Sequence, residues 1–141
     1  MKKLVPCFAY LILVASYCMS PRFVDSVSDF VFRKVSPQRE LGYYFALKEV
    51  PLSTKKYIFI ADPLKRAHYF NEGDTIPLSH TMTVKKAKGF DMYFSSTDYN
   101  IIVSIKTEEA IDKKTIEYTG NLYVQRDRKK NRFVVHGYNY R

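Results

Sequence analysis

Three histidines, His68, His80 and His136, are the residues of this 141-residue chain best suited to acid–base or metal chemistry. A zinc site needs ligands that converge, and the sequence has no Cys-x-x-Cys, His-Glu-x-x-His or His-x-His spacing. Ser79 precedes His80, an order that would suit nucleophile activation if the two shared a proton. Both fall in a segment that reads as a strand, where neighbours point to opposite faces, so that pairing is discounted. Asp62, Asp74, Asp91 and Asp98 stand at expected turns or strand ends, where a short carboxylate caps backbone amides. The five glycines stand singly, which leaves no Gly-rich phosphate loop. The expectation is a protein that is not an enzyme and takes no cofactor or metal.

Binding chemistry is better represented. Lys85, Lys86 and Lys88 form one basic group, and Arg126, Arg128, Lys129, Lys130 and Arg132 form another, both at expected hairpin loops. If the two loops share one end of the sheet, they form an anion-binding rim; the alternative is solvated loop charge. Tyr93, Tyr99, Tyr123, Tyr138 and Tyr140 are candidates for a stacking surface of the kind that interleaves with basic groups in single-strand nucleic-acid binders. Tyr123 and Tyr138, beside the second basic group, are the aromatic members assigned to the candidate site.

The elements that must position these residues are strands. Nineteen of the 22 Tyr and Phe lie beyond residue 20, together with many Val, Ile and Thr, a composition that suits pleated surfaces. Leu41, Tyr43, Phe45 and Leu47 alternate, and Pro51 stops the element. Residues 57–60 and 68–70 flank a turn at Asp62-Pro63-Leu64-Lys65, and Asn71-Glu72-Gly73-Asp74 makes the next turn. His80, Met82 and Val84 are expected to face one way, followed by a reversal at residues 85–89 into Phe90, Met92 and Phe94. Ile101, Val103 and Ile105 alternate, and residues 108–114 read as a charged connector with room for one helical turn. The clearest alternation runs over residues 115–125, with Ile116, Tyr118, Gly120, Leu122 and Val124 on one face and Glu117, Thr119, Asn121, Tyr123 and Gln125 on the other. Phe133 to Tyr138 closes the domain. The fold class expected is mainly β: a small antiparallel β-sandwich or barrel of about eight strands, with room for a short helix near the N-terminal part of the mature domain.

The chain divides at about residue 20. Lys2 and Lys3 precede an apolar run with no charge before Arg22, the layout of a secretory signal peptide. The run is shorter than most spanning helices, and Pro6 interrupts its start, so a cleaved leader is preferred over a retained hydrophobic anchor. Lipidation of Cys18 is disfavoured because the bulky Tyr17 stands immediately before it. The division expected is 1–20, leader or anchor, and 21–141, a single β-rich domain. Both cysteines, Cys7 and Cys18, belong to the first part, so a cleaved domain has no internal disulfide to form. Residues 23–35 read as mixed, and Ser36-Pro37 offers a helix start.

Hydrophobic residues make up 46% and charged residues 26% of the chain, which excludes disorder throughout. The net charge of +9 favours anionic partners without choosing among them. The MKK start is similar to leaders of bacterial or phage-encoded exported proteins. The reading that follows is a periplasmic or secreted protein-binding, accessory or inhibitor module of the cell envelope, with an envelope or extracellular protein as its partner; a membrane-anchored form facing the periplasm is the alternative location. The alternative function is binding of an anionic envelope polymer or lipid head group through the basic loops. Export argues against nucleic acid, and membrane contact is expected only through the N-terminal segment if it is retained.

Overall fold

The computed structural model describes residues 40–141, most of them in eight antiparallel strands. These are β1 (Gly42–Leu47), β2 (Phe59–Ala61), β3 (Arg66–Asn71), β4 (Asp74–Lys85), β5 (Phe90–Ser95), β6 (Tyr99–Ala110), β7 (Thr115–Arg126) and β8 (Lys129–Tyr140). Each strand pairs with the next, and β8 pairs back with β1, so the sheet closes into an up-and-down barrel. Closure gives the two outermost strands of the meander a partner each and removes the exposed edges that an open sheet would carry. Between sandwich and barrel, the chain forms the barrel. The leader at 1–20, the mixed segment at 23–35 and the helix start at Ser36-Pro37 lie outside the described residues; among those described, the one helical element is a 3-10 turn, Leu52–Thr54.

Period-two alternation builds the core. Phe45, Phe59, Met92, Phe94, Ile101, Val103, Ile105, Tyr118, Leu122 and Val135 turn into the lumen and are almost fully buried. An eight-stranded barrel has an interior just wide enough for side chains to fill. Here aromatic rings do so, Phe59 meeting Phe94 edge-on at 5.0 Å and Phe90 meeting Tyr118 at 5.6 Å. At the Tyr118 end, Asn139 Nδ2 donates to the Tyr118 hydroxyl (3.5 Å), and Tyr43 stacks on the Tyr118 ring at 6.2 Å. Gly120 and Gly137 occupy inward positions where a side chain could not fit: a Cβ would fall 2.0 Å from the carbonyl oxygen of Ser104 or of Tyr44, respectively. The apolar, side-chain-filled lumen differs from the polar interior of a membrane-spanning barrel. Among the described residues no helix is long and apolar enough to cross a membrane.

Two expectations need correction. His80, Met82 and Val84 do not share a face, because the register of β4 against β5 shifts between His80 and Met82. The extra residue of that bulge leaves His80 opposite the inward Phe94 and puts Met82 and Val84 outside, opposite Tyr93 and Asp91. Nor is the stretch at 108–114 a connector throughout. Glu108, Glu109 and Ala110 extend β6 along β7, since cross-strand hydrogen bonding outweighs the weak strand propensity of these residues, and the turn is confined to residues 111–114.

Turn chemistry follows the sequence more closely. Asp62 accepts the Arg66 backbone N–H (2.9 Å) and its Nε (2.6 Å), which fixes the β2–β3 reversal. Slight burial pushes the Asp62 carboxyl up, but these Arg66 bonds and the guanidinium charge outweigh it and hold the group below its ordinary range. The long β1–β2 connector folds back over the outside of the barrel. There Leu52 and Tyr57 cover Tyr44 and Ala46, with Val50, Ile60, Tyr138 and Tyr140 packed around them. His136 Nε2 donates to the Val50 carbonyl (2.7 Å) and pins the connector to β8.

Candidate binding surface on the outer sheet face

An up-and-down barrel sends successive turns to opposite ends, and the β4–β5 and β7–β8 turns are separated by three strands. Lys85, Lys86 and Lys88 therefore start from one end, and Arg126, Arg128, Lys129 and Lys130 cluster at the other. The shared rim does not form. Arg126 folds over the mouth of the barrel, its guanidinium carbon 5.4 Å from the Tyr99 ring centre and its Nη1 donating to the Tyr99 hydroxyl (3.3 Å). Arg128, Lys129 and Lys130 are exposed in or beside their turn, as Lys85 and Lys88 are at theirs.

One residue from each basic group leaves its loop cluster and reaches the middle of the outer face. Lys86 Nζ donates to Ser104 Oγ (2.9 Å) and lies 2.6 Å from Asp91 Oδ1. The second contact is a charge pairing without hydrogen-bond alignment, since Asp91 Oδ1 has no hydrogen-bond partner among the described residues. Arg132 Nη2 donates to Asn121 Oδ1 (3.4 Å). Ser104 and Asn121 are register partners across β6 and β7, so the two cations flank one cross-strand row: Val84, Asp91, Ser104, Asn121 and Val134.

Beside it runs a second outward row, Met82, Tyr93, Ile102, Tyr123 and Arg132, each directly opposite the next across β4 to β8. Met82 is 50% and Tyr123 39% exposed, and Tyr93 and Ile102 are half-buried. Directly opposed side chains lie about 5 Å apart at Cβ, so the row is a continuous apolar strip ending in a guanidinium. Tyr123 was expected at the site and sits on this strip. Tyr138 does not: it belongs to the aromatic cluster under the connector, 5.8 Å from Tyr140. Tyr99 faces the lumen against Tyr69, so the five candidate stacking tyrosines do not share a surface.

The residues suited to chemistry are dispersed. His68 is outside on β3, opposite Ile60 and Pro77. His80 meets Phe94 edge-on at 5.4 Å and shares a 2.8 Å hydrogen bond between its Nε2 and Thr83 Oγ1; burial first, then the Lys65 charge, lowers its pKa. His136 is occupied with Val50. Among the described residues no three of His, Cys, Asp and Glu gather as metal ligands would. An open groove of about 670 Å³ lies over β3 to β5, lined by Arg66, His68, Ser79 and Ser95 among others, but its guanidinium is already paired with Asp62.

Met82, Ile102, Ser104 and Asn121 carry the surface without having been singled out in the sequence. Alternation over residues 115–125 places Asn121 and Tyr123 on one face, but which residues of β6 and β8 stand opposite them depends on register, which no single segment records. The fold defines a closed, side-chain-filled antiparallel barrel with a mixed apolar and basic outer face. Comparison of the chain with protein-family models, with curated proteins and with solved structures gives no match.

Proposed function

We propose that this chain is an exported, non-enzymatic bacterial or phage-encoded module of the cell envelope that binds a protein partner through the outer face of β4 to β8. The observation that carries this reading is the strip Met82, Tyr93, Ile102, Tyr123, Arg132, which joins exposed apolar and aromatic surface to an arginine. Aromatic residues, Met and Arg are the types enriched at protein interfaces. The filled lumen supports the same reading, since it directs recognition to the outside. Export rests on the Lys2-Lys3 start and the apolar run after it.

Photo-crosslinking in the producing cell tests the proposal, with a crosslinking residue placed at Tyr123 or Met82 and, as control, at Lys113 in the β6–β7 turn. A discrete protein adduct formed from the strip positions alone supports it; adducts of equal yield from Lys113, or none from the strip, overturn it. Intact mass of the fractionated protein tests export, and recovery of the full-length chain in the cytosol would remove that part.

The exposed group Arg128, Lys129 and Lys130 favours a second reading, binding of an anionic envelope polymer or lipid head group at the β7–β8 turn. Such binding weakens steeply with added salt, whereas burial of the apolar strip does not.

A further inference from the structure

Two donors on the outer face are underused. Asn121 is 2% exposed, and its Nδ2 has no hydrogen-bond partner among the described residues. Buried side-chain donors are nearly always paired, because leaving one unpaired forfeits its hydration with nothing in return. Arg132 carries five N–H donors in a rigid fork. Its one hydrogen bond among the described residues is the long 3.4 Å contact to Asn121 Oδ1, and it makes no ion pair there. Lys86, by contrast, already holds Asp91. Tyr123 faces Arg132 across the β7–β8 ladder and Val134, 45% exposed, faces Asn121.

We propose that Arg132 and Asn121 form a carboxylate-binding subsite, which receives an acidic side chain flanked by an apolar residue on the partner protein. The proposal rests on the protein-binding reading and gives that surface its chemistry. A carboxylate has two oxygens in the geometry of the guanidinium fork, and the bidentate pair is stronger than a neutral hydrogen bond. When the exposed Arg132 side chain swings from Asn121 Oδ1 onto the incoming anion, it uncovers the amide, and Nδ2 gains the acceptor it lacks. Tyr123 and Val134 then face the apolar neighbour of the acid. Charge complementarity fixes the class of occupant: Arg132 has no acidic partner among the described residues, and the acid of the adjoining row, Asp91, is paired with Lys86.

The test is a titration of the purified full-length chain with phenylacetate, which joins a carboxylate to an apolar ring, followed by ¹⁵N NMR of the Asn121 side-chain amide and the Arg132 Nε–H. Phenylacetate should shift both signals saturably, uncharged phenylacetamide should shift neither, and Arg132→Gln should raise the Kd about tenfold or more. Arg132 is exposed, so this variant folds as the parent does. Absence of a saturable shift at these two groups overturns the proposal. An equal response to inorganic phosphate at matched ionic strength also overturns it, in favour of a general anion site. Crosslinks from Tyr123 without the titration response would remove the subsite and leave the binding face; the response without crosslinks would keep the subsite and remove the protein-binding reading.

Discussion

The outside of the barrel carries two aromatic surfaces built on the same rule and finished differently. On β8, β1 and β2, Tyr138, Tyr140, Tyr44 and Ile60 point outward, and the β1–β2 connector closes over them with Leu52 and Tyr57. Tyr44 contacts Tyr57 and Tyr140 at ring separations of 5.2 and 5.6 Å, and its hydroxyl donates to the Glu40 carbonyl (3.0 Å). On β4 to β8 the outward Met82, Tyr93, Ile102 and Tyr123 meet the ladder on one side and remain accessible on the other. Residue type does not distinguish the two. The difference is whether the connector crosses the surface: it buries the first and leaves the second open, and the second is the face proposed for recognition.

The largest effect is expected where the covered surface and the lumen share a strand pair. Gly137 lies opposite Phe45, and a Cβ there would stand 2.0 Å from the Tyr44 carbonyl oxygen and 2.7 Å from Phe45 Cδ1. Gly137→Val should destabilise by about 3 kcal/mol or more, read as a lower denaturation midpoint at unchanged slope. Full retention of the midpoint would show that β1 and β8 are not so closely paired. Next comes a matched pair of truncations. Tyr57→Ala empties the covered cluster and should cost about 3 kcal/mol, whereas Tyr123→Ala should cost less than about 1 kcal/mol while abolishing crosslinking from Met82. Equal losses of stability would break the distinction between the two surfaces.

Alkaline titration sharpens the same contrast between buried and open rings. Burial first, then the neighbouring Tyr140, Tyr44 and Tyr138, pushes Tyr57 up to about 12. Tyr69 in the lumen is also pushed up to about 12, by burial, Tyr99 and Glu72. Because the folded state holds these protons more tightly than the unfolded chain, their stabilisation is complete below about pH 10 and is lost as pH rises towards 12. Denaturation midpoints should therefore fall between pH 10 and 12, in step with phenolate absorbance; an unchanged midpoint across that window would mean that the two hydroxyls are hydrated.

Most of the barrel was legible in the sequence. Strict alternation over 115–125 and the turn residues at 62–65 and 71–74 each encode their structure locally, and eight such strands in succession specify a meander. The bulge in β4 was not legible, because Thr81 looks like any other strand residue and only the pairing with β5 shows that it is extra. The extension of β6 through Glu108 and Glu109 was hidden for a related reason: the partner strand, not local propensity, makes those residues extended. The candidate surface was half visible. Tyr123, Lys86 and Arg132 were identifiable by type, but their grouping depends on register, and the alternation of turns between the two ends separated the basic loops that the sequence reading had joined.

Asn121 gives the smallest effect and the most discriminating one. It is buried on an outward position, beside Ser104 and Val134, with an amide donor that the described residues leave unsatisfied. Asn121→Val substitutes a β-branched residue that suits a strand, removes the unpaired donor and leaves Arg132 to solvent, since that side chain is exposed. The variant should be as stable as the parent or more stable by about 1 kcal/mol, a direction opposite to that of most buried substitutions. The same variant should lose the phenylacetate response, because the amide that completes the subsite is gone. A stability gain with loss of binding is the signature of a residue retained for recognition at a cost to the fold. A clear loss of stability would instead mean that ordered water satisfies Nδ2, and the argument for an incoming carboxylate would fall with it.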